Sequence, residues 1–201
     1  MAKPTNIDPL EIIKAAKICL QKKGIAATTL KDVAKLAGVA QGTVYYHFKT
    51  KEDLMLAVIQ LTIDGHLKTM DRIWDNAEDL PSKVSSVIDA TRDAYGKDYN
   101  FHRLILNMAA IAIHNGRADK EFSHQLEKVL ALVEGFCQKL IKSDVFGSST
   151  TKQMSRIILA VITGLALQSI FHKNMDIDGA YQCFKQMMSE YAREDTTAKT
   201  D

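Results

Sequence analysis

Between Thr29 and Gly38 the chain has room for barely two turns of helix, and this short segment constrains the fold more than any other. Thr29 with Asp32 three residues later is a capping-box pattern that opens a helix, and Gly38 supplies the residue type that ends one. Val33, Ala34, Leu36 and Ala37 lie between. A helix of this length does not stand alone in water, so it must pack at once against its neighbours in sequence.

Those neighbours also read as helices. Asp8 as N-cap, Pro9 at the first helical position and Glu11 announce a helix that runs to Gly24, with Ile12, Ala16, Cys19 and Leu20 on one face. After Gly38, the stretch 41–49 has Val44 and Phe48 four apart as its inward pair. Gln41, Thr43, Tyr45, Tyr46, His47 and Lys49 are left to the other faces, a large set of donors and aromatics for two turns. Thr50 with Asp53 then caps a long helix through Leu54, Val58, Leu61, Met70 and Trp74; some 25 residues at about 1.5 Å each span close to 37 Å.

The remainder repeats the helical theme, at about 81–96, 101–115, 118–143, 151–173 and 177–193. With 3 prolines and 10 glycines in 201 residues, 46% hydrophobic and 25% charged, the composition excludes a disordered chain and disfavours an all-β one. The expected class is all-α, an N-terminal three-helix head followed by a helical bundle. The start, Met-Ala-Lys-Pro-Thr-Asn-Ile-Asp-Pro, has no apolar segment of the secretory kind. The apolar run 157–171 is shorter than the roughly 20 residues a bilayer requires, so a buried helix, no membrane and a cytoplasmic location are expected. Cys19, Cys137 and Cys183 read as reduced core thiols.

Charge is unevenly distributed. Residues 1–60 carry nine lysines and no arginine against five acidic residues, whereas the rest is slightly acidic. A basic head on an acidic body suits a nucleic-acid-binding module joined to something else, although a solvated basic face has the same appearance. No glycine-rich phosphate loop, Gly-x-Ser-x-Gly elbow, His-Glu-x-x-His or paired Cys-x-x-Cys is present, so neither enzyme activity nor a cofactor is expected. His102 and His114 are twelve apart and lack the spacing of a helical metal pair.

The segments Ile12-Ile13-Lys14-Ala15-Ala16, Gly24, Thr28-Thr29-Leu30-Lys31-Asp32-Val33-Ala34, Ala37-Gly38-Val39, Gly42-Thr43-Val44-Tyr45-Tyr46-His47-Phe48 and Lys51-Glu52-Asp53-Leu54 together resemble the helix-turn-helix domain of TetR-family bacterial transcriptional regulators. Ile25, Cys19 and Ala40 depart from the family pattern, and Ala40 removes the usual serine cap of the third helix. The resemblance implies a DNA-binding domain over 1–53, with the linking helix starting near 51, and an effector-binding and dimerisation domain over 54–201.

It also implies that the third helix enters the major groove. Gln41 and Tyr46 are then the candidates for base edges, a Gln amide pairing with adenine and a Tyr ring touching a thymine methyl. Gly42 would allow close backbone approach. Thr43, Tyr45, His47 and Lys51 are candidates for phosphates, and Thr29 and Lys49 complete the DNA-contact set. A lysine in the first turn of a helix opposes the dipole, which is easier to understand if Lys51 shares a phosphate with the free N–H groups there.

For the body, the resemblance implies a small-molecule effector, a homodimer through the last two helices and release from a palindromic operator on ligand binding. Trp74, Tyr95, Tyr99, Phe101, His102, Met108, His114, Phe136 and Phe171 could line the effector cavity. Leu159, Ile162, Leu167, Ile170, Tyr181, Phe184 and Met188 are the expected dimer seam. A body that binds a protein partner instead of a small ligand is the alternative.

Overall fold

The computed structural model describes residues 8–95, 99–140, 147–172 and 174–197; side chains in 94–100, 140–150 and 191–197 lie outside that description. The described chain is helical, with α1 Pro9–Ala27, α2 Leu30–Ala37, α3 Gln41–His47, α4 Lys51–Asn76, α5 Leu80–Tyr95, α6 Tyr99–Ala112, α7 Gly116–Leu140, α8 Gly147–Phe171 and α9 Ile177–Thr197. No strand occurs among the described residues.

The predicted caps form. The Asp8 carboxylate accepts from the Leu10 amide at 2.9 Å. The Asp32 amide donates to Thr29 Oγ1 at 3.1 Å while the Thr29 amide donates to Asp32 Oδ2, also at 3.1 Å. Gly38 takes φ 69° and its turn is closed by the Val39 amide donating to the Ala34 carbonyl. At this φ a β-carbon would be strained, so glycine is required. Thr50 and Asp53 form a second reciprocal cap at the start of α4. The expected end of α1 at Gly24 is a kink instead: Gly24 has φ 73°, and one more helical turn follows to Ala27.

The chain divides into two compact units, one of residues up to Asp64 with Asn100–Gln125, the other of Gly65–Tyr99 with residues from Leu126 on. Both differ from the expected division at 53 and 54. In the first unit Ile12, Ala16, Val33, Val44, Leu54 and Ile59 are almost wholly buried, so the opening turns of α4 complete the core of the three-helix head. Phe101, Leu104 and Met108 of α6 are buried in the same unit.

In the second unit, Trp74 stacks on Phe136 with ring centres 4.4 Å apart and planes 9° from parallel. Met70, Val84, Ile88, Tyr181 and Phe184 close around them. α9 lies along α5, and both Lys185–Asp89 distances, 3.0 and 3.1 Å, are of hydrogen-bond length.

α8 is longer than its apolar run suggests. Thr151–Phe171 is 21 residues with mean hydropathy 1.7, long and apolar enough to cross a membrane, and little of it is buried within the chain. Cys19 and Cys137 are buried thiols as expected, and burial pushes Cys137 up to about 11. Cys183 is exposed, because α9 turns its other face to the core.

Candidate nucleic-acid interface and effector body

The outward face of α3 is built by elimination. Val44 is fully buried, on a helix that packs against α2. Gln41, Gly42, Tyr45 and Tyr46 then face solvent, with Tyr45 at 45% and Tyr46 at 70% exposure. Two open rings beside an exposed amide give this side of the helix both apolar contact and hydrogen-bonding capacity. The Lys49 ammonium lies 5.9 Å from the Tyr46 ring centre, and His47 meets the same ring edge-on at 5.1 Å. A β-carbon added at Gly42 would meet open space. Ala40 makes no side-chain cap, as its departure from serine implies.

Two residues of the expected set are placed differently. Thr43 is 7% exposed and lies inside rather than on the outer face. At 3.6 residues per turn Thr43 falls on the flank shared by Val44 and half-buried His47, away from Tyr45 and Tyr46. Lys51 neither projects freely nor rests on Glu52 or Asp53: its ammonium donates to the Ile25 carbonyl at 2.6 Å. That oxygen belongs to the C-terminal turn of α1, where a cation is favoured. The lysine at the unfavourable start of one helix is thus accounted for by the end of another, a pairing across 26 residues that spacing did not reveal.

Thr29 is exposed, and its hydroxyl is engaged in the α2 cap. Asp32 is held there by the Lys23 ammonium at 2.7 Å and by Thr29, which together draw its carboxyl down to about 2.

The residues expected around the effector are distributed over both units. Trp74 and Phe136 are the stacked pair in the core of the second. Phe101 and Met108 are buried in the first, His102 is half-buried, and His114 is exposed beside the α6–α7 turn. Phe171 is 73% exposed and borders an open cleft of about 690 Å³ with Gln168, His172, Asn174 and Met175. Tyr95 and Tyr99 lie outside the described side chains.

The residues of the expected dimer seam fall mostly within the chain's own packing. Tyr181 and Phe184 are in the chain's own core, and Ile162 and Met188 pack against it, because α9 lies on α5. Leu159 and Ile170 are half-buried, and of the seven only Leu167 is exposed. Among the described residues, an apolar surface is left free on the opposite side of the two helices, made of Ile157, Ala160, Leu167 and Phe171 on α8 with Cys183 and Met187 on α9. Residues 157, 160, 167 and 171 recur at helical spacing, a signal legible in the sequence but masked by an equally apolar inner side.

This geometry defines a three-helix head of helix-turn-helix form, followed in the chain by a helical body. The family model for bacterial regulatory proteins of the tetR family matches residues 12–58. The head is therefore a tetR-family helix-turn-helix domain. Over 56 residues the chain is 43% identical to the HTH-type transcriptional regulator TtgR of Pseudomonas putida, a match covering 28% of this chain and 27% of TtgR. The chain thus spans about a quarter of the length of that relative.

The likeness in fold extends over most of the chain. The fatty acid degradation regulator FadR from Bacillus halodurans superposes with a TM-score of 0.71 at 17% identity, over 92% of this chain and 96% of that one. The transcriptional regulator FadR from Bacillus subtilis, solved in complex with stearoyl-CoA, superposes with a TM-score of 0.69 at 19% identity, over 90% of this chain and 98% of that one.

Proposed function

We propose that this protein is a sequence-specific DNA-binding transcriptional repressor that works as a homodimer and is released from a palindromic operator by a small-molecule effector bound in its helical body. The observation that carries the reading is the α3 face: Gln41, Tyr45 and Tyr46 stand open on a helix that Val44 anchors. Such a helix fits the major groove, with Gln41 and Tyr46 at base edges and Tyr45, His47, Lys49, Lys51 and Thr29 toward the backbone.

With no arginine in residues 1–60, the bidentate guanine contact is not supplied from there, and specificity rests on amide, ring and DNA shape. The exposed side of α8 and α9 supports a two-fold contact, which would place two heads on half-sites about 34 to 36 Å apart or a multiple of that. It also explains the apolar length of α8 without a membrane. The stearoyl-CoA held by the Bacillus subtilis regulator makes a long-chain acyl thioester the first effector to try.

Sedimentation equilibrium and DNA-binding anisotropy test this together. Wild-type protein should be a dimer that binds duplex DNA two chains to one site. The double variant Leu167→Glu, Phe171→Glu should be a folded monomer with DNA affinity reduced at least a hundredfold. A wild-type monomer, or a double variant that remains dimeric, would contradict the proposed seam. Stearoyl-CoA should lower the DNA affinity of the wild type; if it does not, the acyl thioester is the wrong effector class.

A further inference from the structure

Phe48, Lys49 and Thr50 connect α3 to α4, and the chain is fixed on both sides of Lys49. The Phe48 amide donates to the Val44 carbonyl at 2.8 Å, and Phe48 then leaves the helix in an extended conformation, with φ −128°. Thr50 is held by its reciprocal cap with Asp53. Lys49 is thereby set beside the last turn of α3.

Its ammonium lies 5.9 Å from the centre of the Tyr46 ring, within the roughly 6 Å over which a cation is attracted to an aromatic face. Among the described residues no carboxylate pairs with Lys49. The His47 ring meets Tyr46 edge-on, with ring centres 5.1 Å apart and planes at 86°. Tyr46 is exposed, yet two neighbours restrict the orientations its ring can take.

We propose that Lys49 is a positioning residue for base readout: its ammonium holds the Tyr46 ring in the orientation that meets a base edge, so Lys49 serves sequence specificity as well as affinity. This rests on the reading of α3 as the helix that enters the major groove. A ring already oriented loses less conformational freedom on binding. On unrelated DNA the ring has no base to meet, and its orientation brings nothing there. A lysine that only contacts phosphate would instead weaken binding to all sequences alike when removed.

The test compares affinity for the selected palindrome with affinity for an unrelated duplex, by anisotropy at one salt concentration. Lys49→Met should lower the ratio of the two affinities about two- to fivefold per chain, the worth of an exposed cation–π contact. Lys49→Arg should keep the ratio, since a guanidinium also pairs with a ring face. In a Tyr46→Leu background, which has no aromatic face, Lys49→Met should leave the ratio unchanged while weakening binding to both duplexes. In the free protein the Lys49 ε-methylene protons should show an upfield ring-current shift that Tyr46→Leu removes. The proposal is overturned if Lys49→Met weakens binding to both duplexes by the same factor, if it lowers the ratio equally in the Tyr46→Leu background, or if the ring-current shift is absent. Failure to enrich any palindrome would overturn the reading of α3 itself, whereas an enriched palindrome with an unchanged ratio would overturn the role of Lys49 alone.

Discussion

On the proposed function, Lys51 links the stability of the head to its reading of DNA, and replacing it by methionine separates the two. In the free protein its ammonium donates to the Ile25 carbonyl at 2.6 Å, in a half-buried position. Hydrogen bonds to charged groups contribute about 1.5 to 3 kcal/mol, and solvent access to this one brings the expected loss to about 1 kcal/mol. For a chain of this length that is a fall of about 2 to 4 °C in Tm. Methionine keeps the apolar stem, so packing is little changed.

On DNA the same ammonium has donors left for a phosphate. A dimer that loses one phosphate contact per chain should lose about 1.8 from the slope of log K against log salt, since each contact contributes about 0.9. Affinity should fall by the same factor on operator and on unrelated DNA. The assays are thermal unfolding and anisotropy titrations at four salt concentrations. An unchanged Tm would refute the role given to the Ile25 contact. An unchanged slope would refute the phosphate role and leave Lys51 as a tie within the head.

Three further outcomes are expected. Tyr181→Phe should leave stability unchanged or raise it by up to about 1 kcal/mol, because the hydroxyl it removes is buried without a partner and its burial pushes the phenol up to about 12; chemical denaturation measures this, and a loss above about 1 kcal/mol would mean that the hydroxyl is satisfied in solution. Gly42→Ala should raise the stability of the head by about 0.5 to 1 kcal/mol, since a β-carbon there meets open space, while weakening DNA binding; unchanged DNA affinity would remove the close-approach role of Gly42. His66 is held neutral by burial, its imidazole lowered to about 4. Because the unfolded chain takes up that proton near pH 6.5 and the folded one only near 4, stability should be full above about pH 6.5 and decline as pH falls toward 4; a His66→Leu variant should flatten this part of the profile, and an identical slope in both proteins would reject the assignment.

The head was legible because its structure is written in local chemistry. Asp8, Thr29 with Asp32, Gly38 and Thr50 with Asp53 each satisfy backbone groups within a few residues, so spacing alone places them. Lys51 was not legible in the same way, because its partner is the end of a different helix. The body shows the limit of periodicity. The apolar spacing of Tyr181, Phe184 and Met188 announces a buried face, and a buried face is what forms, but the pattern does not distinguish α5 of the same chain from a second copy. α8 is apolar on both sides, so the side that stays free emerges only once the inner one is packed. Trp74 and Phe136 show the same ambiguity for the effector site, where a large aromatic suits a filled core as well as a cavity wall.

The central claim is that the open face of α3 reads a base sequence. Its most direct test is selection from a random-sequence duplex pool by the full-length protein at two salt concentrations, repeated with Tyr46→Ala. Tyr46 is 70% exposed, so its loss should not disturb the fold. The account predicts one enriched palindrome for the wild type and loss of that enrichment, with residual salt-sensitive binding, for the variant. No enriched sequence at either salt, or the same palindrome from both proteins, would contradict it.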